Sequence, residues 1–451
     1  MDKVIVVSGD SHAVMPPELW PDYLERRFHE FLPAAREDNL TSKPVRDALY
    51  QLPSEALGVM DRDGVWQSGG YMGVWDVTRR IREMDREGVA AEVVVPSDGR
   101  AHLLLSPDHR SYPQEVIAAG MRAYHRWAFD EFGSASGRVL LVGDVSGAVD
   151  MDAMLAELEW LSAHGFVGTY GPGRVARSDL PPLSDRYFDP FWAKCVELGL
   201  VVAVHAGHGM EHEEGSRKLK GLRQKMEAAG RSNLQEEVLH HSGGFFELDL
   251  RPRQSMWQMM IGGVFDRHPA LRLAIMELRG DWLPATLKHL DAAFVKSRAD
   301  LPATTLPSEV WKSNCVAVLS FMHKSEAEIR SDIGVETMAF GRDYPHPEGT
   351  WPNTGDWLSD LFAGVPDQDV RKILGENLVR VFGLDRDNLK EIAEQVGPTM
   401  EQITGATTEI DRRLVSNFQD RGGYLKPVEQ IDRDAIDALL REDITHAASA
   451  K

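Results

Sequence analysis

Along most of the chain, short apolar runs rich in β-branched residues alternate with longer segments whose apolar positions return every three or four residues. Eight of the short runs have the length and composition of interior strands: Val4–Asp10, Ala91–Ser97, Arg138–Val145, Phe166–Tyr170, Leu200–His205, Leu271–Glu277, Asn314–Phe321 and Thr337–Asp343. Between them, "TRRIREMDREG", "YPQEVIAAGMRAYHRWAFDEFG", "MDAMLAELEWLSAHG" and "DRYFDPFWAKCVELG" have helical spacing and end in glycine, as helix C-termini prefer. Strand–helix alternation of this kind predicts right-handed crossovers and a parallel α/β sheet covered on both faces. Eight such units predict a closed (β/α)8 TIM barrel over residues 1–384. An open doubly wound sheet has the same periodicity and is the competing arrangement.

Two insertions interrupt the pattern, residues 13–77 after the first strand and 207–253 after the fifth. Both follow the carboxyl end of a strand, the face on which such barrels build their sites, and are expected to act as lids or substrate walls. Past Leu384 the alternation stops. Residues 385–451 are expected to form a helical C-terminal extension, with "NLKEIAEQVGPTMEQI" and "RDAIDALLRED" as amphipathic helices. These would pack on the barrel or join a second subunit, so a homo-oligomer is expected.

Composition narrows the partners. With a formal net charge of −20, the chain is a poor match for nucleic acid or an anionic membrane, leaving a small molecule as the expected ligand. Its two cysteines, Cys195 and Cys315, lie in apolar contexts and read as inert buried thiols. The N-terminus has no basic segment followed by a cleavable apolar stretch, and no run approaches membrane-spanning length, so a cytoplasmic protein is expected.

The strand ends carry the candidate chemistry. The first ends "VSGDSHAV", with Asp10 and His12, and the fifth ends "VAVHAGHG", with His205 and then His208. The sixth ends in Glu277, and the eighth runs into "FGRDYPHPEG", with Asp343 and His346. Taken singly, each has an ordinary reading: a capped turn for Asp10-Ser11-His12, a satisfied core histidine for His205, a turn start for Asp343. In a closed barrel, however, these carboxyl ends converge on one mouth. The strand period of two puts Asp10 and His12 on one face, and further donors complete an N/O shell for a divalent cation. Such an ion also compensates the buried carboxylates.

The stretches "SGDSHAVMPPELW", "VHAG", "GGVFDRHPALRLAIMELRGDWLP", "FGRDYPHPEGTWP" and "ILGENLVRVFGL" resemble the amidohydrolase-related group that includes aminocarboxymuconate-semialdehyde decarboxylase. The resemblance runs from about Val4 to Leu384. It implies a metal-dependent barrel hydrolase or decarboxylase, usually with one zinc or manganese ion, acting on a small to medium organic acid, amide or ester. It also implies Asp10, His12, His205 and Asp343 as ligands. Two departures stand out. Where many members follow Asp-Ser-His with Glu-Pro, this chain has "DSHAVMPP", so that glutamate is absent. The decarboxylase branch has a catalytic histidine seven residues before a proline, where this chain has Glu277 before Pro284.

Three chemistries follow. Glu277, with Asp343, takes a proton from a cation-held water that then attacks an amide or ester. Alternatively, the cation chelates an organic acid that loses carbon dioxide, with His240 or His241 standing in for the missing imidazole. As a third reading, the surplus of donors holds two irons, as in the few di-iron oxygenases that resemble this family, with Glu277 on the second ion and a bulky hydrophobic substrate. Arg279 and Arg342 are candidate partners for a substrate carboxylate, the alternative being ion pairs with neighbouring acids. His208, His240 and His346 are candidates for substrate contact or for support of a ligand. The aromatics of "VWQSGGYMGVW" read as an apolar wall or a packed loop core. A catalytically inactive binding protein is the non-enzymatic reading.

Overall fold

The structure, a computed structural model, describes residues 3–37, 58–96, 112–173, 180–209, 243–320, 322–346, 349–405, 411–416 and 433–449, the side chains of 243–249 and 433–435 excepted. Its sheet consists of β1 (Val7–Ser8), β2 (His12–Ala13), β3 (Ala91–Pro96), β4 (Val139–Asp144), β5 (Gly168–Tyr170), β6 (Val201–His205), β7 (Leu273–Met276), β8 (Cys315–Leu319) and β9 (Met338–Phe340). From β3 to β9 each strand pairs in parallel with the next, while β1 and β2 both pair with β3. The seam between first and last strands is closed by Gly9 N–H donating to the Phe340 carbonyl at 2.8 Å and by a parallel bridge from Ser11 to Tyr344. The result is a (β/α)8 barrel rather than an open sheet.

Each predicted strand appears, shortened at its ends. Every residue of β3, β4, β6, β7 and β8 is buried, as expected of strands covered on both faces. Alternate residues go to different cores. Val93, Val142, Ala203, Ala274, Met276 and Val318 belong to an interior cluster closed at the amino ends by Leu378, Val381 and Phe382. Their neighbours Val94, Leu141, Val202, Ile275 and Leu319 pack outward against the helices.

The first strand departs from its predicted form. Val7 is in register with Ala91 and His12 with Val95, so five residues of the first strand face four of β3. One extra residue in the interruption is a bulge, which moves side chains beyond it to the opposite face. Without it His12, five positions after inward-facing Val7, would point outward. With it, His12 shares the inward face of Val95.

The helices match their sequence signals. Asp76 caps the helix Val77–Glu87 by accepting from Arg79 N–H at 2.9 Å, and Gly88 ends it at φ 74°. Gly199 does the same after Asp189–Leu198. Residues 386–396 and 400–404 form helices by the amino ends of the strands, where Val4 N–H donates to the Pro398 carbonyl at 2.9 Å. The last helix, Arg433–Ser449, packs on Gly243–Ile261. Residues 38–57 and 210–242, the centres of the two insertions, lie outside the described residues. Both cysteines are buried and unpaired, with thiols pushed up by burial. No helix among the described residues is long and apolar enough to cross a membrane.

Candidate metal centre

His205 is the last residue of β6 and has the parity of inward-facing Val201 and Ala203, so its ring enters the mouth. Asp10 lies in the bulge and His12 just beyond it. Closure of the barrel brings Asp343 to them: its N–H donates to the Asp10 carbonyl at 3.1 Å, and His12 N–H donates to the Tyr344 carbonyl at 2.8 Å. The seam of the barrel is thus one side of the site.

Glu277 arrives differently. Strict alternation would turn it outward, since its predecessor Met276 faces the interior. Instead it adopts φ 57°, and Asp343 adopts φ 52°. Among the described residues these are the two non-glycine positions in the left-handed region, a conformation that costs about 1–3 kcal/mol at each. Both strained positions thus fall on carboxylates at the mouth of the barrel.

Asp10, His12, His205 and Glu277 each present a ligand atom within 4.8 Å of the others, and His12, Asp343 and His346 form a second, overlapping group. Nε2 of His205 lies 3.0 Å from Oε2 of Glu277 and 3.5 Å from Oδ1 of Asp10. Nε2 of His12 lies 2.9 Å from Oδ1 of Asp343 and 3.9 Å from Oδ1 of Asp10. The His346 ring stacks on His12 at 4.1 Å, and its Nδ1 lies 3.2 Å from Oδ1 of Asp343. All but His346, which is partly exposed, are buried.

The electrostatics are those of an anion-rich cavity. Burial, and then the charges of Glu277 and Asp10, push Asp343 well above the usual carboxylate range against the pull of His346. Burial likewise raises Glu277, with His205 opposing and Asp10 adding to the shift. For His205, burial disfavours the imidazolium, but Tyr170, Glu277 and Asp10 more than reverse this and hold the ring well above its ordinary value. Asp10 Oδ1 and Asp343 Oδ2 are buried and accept no hydrogen bond of ordinary geometry among the described residues, and His205 Nε2 faces only the carboxylate oxygens of Glu277 and Asp10. Buried carboxylate and imidazole atoms of this kind, converging from four strands, fit a divalent cation.

The other candidates lie elsewhere. His208 is buried beside Gly171 at the end of β5 and belongs to neither donor group. Arg279 pairs with Asp281 at 2.8 Å and approaches Glu326 at 3.9 Å. Arg342 is fully buried against Glu92, which also binds Arg80 at 2.9 Å, behind the barrel wall rather than in the mouth. His240 and His241 lie outside the described residues. Of the aromatic stretch, Val65 and Val74 are buried in a small core with Tyr344 and Trp351, leaving Tyr71 and Met72 exposed. Sequence reasoning missed Tyr170, whose ring lies 6.0 Å from that of His205, and Ser320, which donates to Oδ2 of Asp10. Both stand at strand ends, the signal that identified the donors.

A sequence profile of the amidohydrolase family matches residues 16–384, a span that holds His205, Glu277, Asp343 and His346 and begins just after His12. A comparison with curated proteins found no match. Among solved structures, an amidohydrolase from Mycobacterium avium subsp. paratuberculosis K-10 is similar at 20% identity and a TM-score of 0.57, covering 84% of this chain and 99% of that one. A dihydroxybenzoic acid decarboxylase from Polaromonas sp. JS666, solved with manganese and the inhibitor 2-nitroresorcinol, is similar at 17% identity and a TM-score of 0.57, covering 86% and 99%. The 5-carboxyvanillate decarboxylase from Sphingomonas paucimobilis follows at 16% identity and a TM-score of 0.55, covering 85% and 100%. At these identities the likeness establishes a shared barrel fold.

Proposed function

This chain belongs to the amidohydrolase family, and from that footing we propose that it is a metal-dependent hydrolase or carboxy-lyase acting on a small to medium organic acid, amide or ester. The observation that carries the reading is the convergence of Asp10, His12, His205 and Glu277, from three strand ends, to within 4.8 Å. These four, with Asp343, would hold one zinc or manganese ion. Manganese is the metal found in the similar Polaromonas decarboxylase. When bound, a divalent cation supplies Lewis-acid polarisation of an oxygen in the mouth.

The protein's own groups handle the proton. The Asp343 carboxylate faces a ring nitrogen of each of the stacked imidazoles, its Oδ1 2.9 Å from His12 Nε2 and 3.2 Å from His346 Nδ1, and is placed to take or give a proton in the mouth. Glu277, opposite on His205, is the second group placed to accept one. In the hydrolytic branch these two serve an attacking water and a leaving group. In the carboxy-lyase branch Asp343, with His346 behind it, delivers a proton to carbon as carbon dioxide leaves. An aromatic or unsaturated acid is the substrate class for that branch, by likeness to the dihydroxybenzoic acid and carboxyvanillate decarboxylases.

The second reading is the two-iron oxygenase acting on a bulky hydrophobic substrate that the surplus of donors in the sequence raised; the family match and the similar decarboxylases do not favour it. Metal analysis of the purified protein decides between them. One zinc or manganese per chain, lost in His12→Ala and His205→Ala, is the expected result. Two irons with oxygen consumption would replace it by the second reading. Failure of the wild type to retain or rebind any divalent cation would overturn both.

A further inference from the structure

Strand β8 ends without contributing a donor to the cluster, yet of two side chains that follow it, one bonds to a donor and the other to the turn that carries one. Ser320, one residue past the strand and 1% exposed, donates its hydroxyl proton to Oδ2 of Asp10. The other oxygen of that carboxylate faces the two imidazoles, 3.5 Å from His205 and 3.9 Å from His12. A carboxylate with one oxygen tied cannot rotate freely, so the hydroxyl selects which oxygen enters the cluster. The contact depends on Gly341 in the neighbouring strand-end segment. A Cβ there would stand 2.8 Å from the Ser320 hydroxyl and 2.9 Å from Cβ of Asp10, closer than packing allows.

Glu326 is fully buried. One of its oxygens accepts from Gly280 N–H, and the other accepts from His323 N–H at 2.6 Å. Gly280 closes the turn that begins at Glu277, and Arg279 in the same turn lies 3.9 Å from the Glu326 carboxylate. Glu326 therefore ties the turn to the next loop of the barrel. A left-handed glutamate gains by relaxing to an ordinary conformation unless its surroundings prevent it. This anchor, three residues away, opposes that relaxation.

We propose that Ser320 and Glu326 are positioning residues of the cation centre, Ser320 orienting Asp10 and Glu326 holding Glu277 aimed into the mouth. The proposal rests on the metal reading above. Partners that orient metal ligands typically change affinity by about 10–100-fold when removed.

The test uses the full chain, with manganese affinity measured by chelator competition, the visible spectrum of the cobalt(II)-loaded protein, and melting temperature in excess chelator. Ser320→Ala is expected to weaken manganese by about 10–100-fold and alter the cobalt spectrum, the melting temperature in chelator serving to separate loss of affinity from loss of folding. In an Asp10→Asn background the same substitution is expected to add no further loss. Glu326→Gln is expected to weaken manganese in the wild type and to add nothing to Glu277→Gln. Should Glu326→Gln fail to fold, Glu326→Asp, compared in the wild type and in Glu277→Gln, decides the role of Glu326, and the Ser320 and Asp10 pair decides that of Ser320. Full affinity and an unchanged spectrum in Ser320→Ala would overturn the proposal, as would an equal loss in the Asp10→Asn background. A wild type that binds neither cation sinks the metal reading itself, whereas variants that match a metal-binding wild type sink only the positioning roles.

Discussion

Glu277 shows how much one backbone angle decides. Its side chain would face the helix layer if β7 continued in regular alternation, and φ 57° turns it to His205 instead. The cost of that conformation can be measured separately from the loss of the carboxylate. Glycine adopts positive φ freely, whereas alanine pays about 1–2 kcal/mol there. In excess chelator, Glu277→Gly should therefore be more stable than Glu277→Ala by about 1–2 kcal/mol in denaturant unfolding, although both lose the carboxylate. Equal stabilities would mean that the turn relaxes in the variants and that φ at this position is not imposed from outside. The residue types of the site were legible from the sequence because a buried acid at the end of an apolar run demands compensation. The turn that aims Glu277 was not, since nothing in "IMELRGD" marks a glutamate for the left-handed region.

At the scale of elements, helical spacing and terminal glycines located the helices well, because those signals are local. Partner choice is a different matter. The amphipathic character of the last helix was plain, but its neighbour was not. It docks on Gly243–Ile261 through Asp443, 5% exposed, which accepts from Trp257 Nε1 and Gln258 Nε2 at 2.7 Å each and from Gln254 at 3.1 Å. Burial raises the Asp443 carboxyl, and these three donors oppose the shift. Asp443→Ala would leave buried donors unsatisfied, at about 1–3 kcal/mol for each group left without an acceptor. Hydrogen exchange in residues 433–449 should then speed up severalfold or more, with the barrel strands unaffected and the exposed neighbour Glu442→Ala as control. Protection equal to wild type would show that apolar contacts such as Leu440 and Ala447 hold the helix alone. A comparable limit applied to the first strand, where the bulge between Val7 and His12 leaves no mark in hydrophobicity.

Taken as a whole, the molecule gathers buried acids and imidazoles from segments separated by most of the chain. Asp10, Glu277 and Asp343 repel one another when ionised, and a cation that binds the folded state alone stabilises it by mass action. Manganese or zinc at a hundredfold excess over its dissociation constant should add about 2.7 kcal/mol, seen as a concentration-dependent rise in melting temperature. The rise should vanish in His12→Ala combined with His205→Ala. A rise of the same size in that double variant would place the cation elsewhere.

Strand–helix periodicity, the apolar strands and the acids and histidines at their ends are properties of short stretches, so the sequence alone determined a parallel α/β fold, with the barrel preferred over an open sheet, and put forward Asp10, His12, His205, Glu277 and Asp343 as metal ligands. It could not determine where Arg342 and Arg279 would spend their charge, which depends on Glu92, Asp281 and Glu326 standing beside them. Nor could it reveal the one-residue bulge, the two left-handed carboxylates, or the hold of Ser320 on Asp10. Those are consequences of closing the sheet. Only when the first strand meets the last do residues more than three hundred positions apart come within hydrogen-bond distance, and only then do the orientations of their side chains depend on one another.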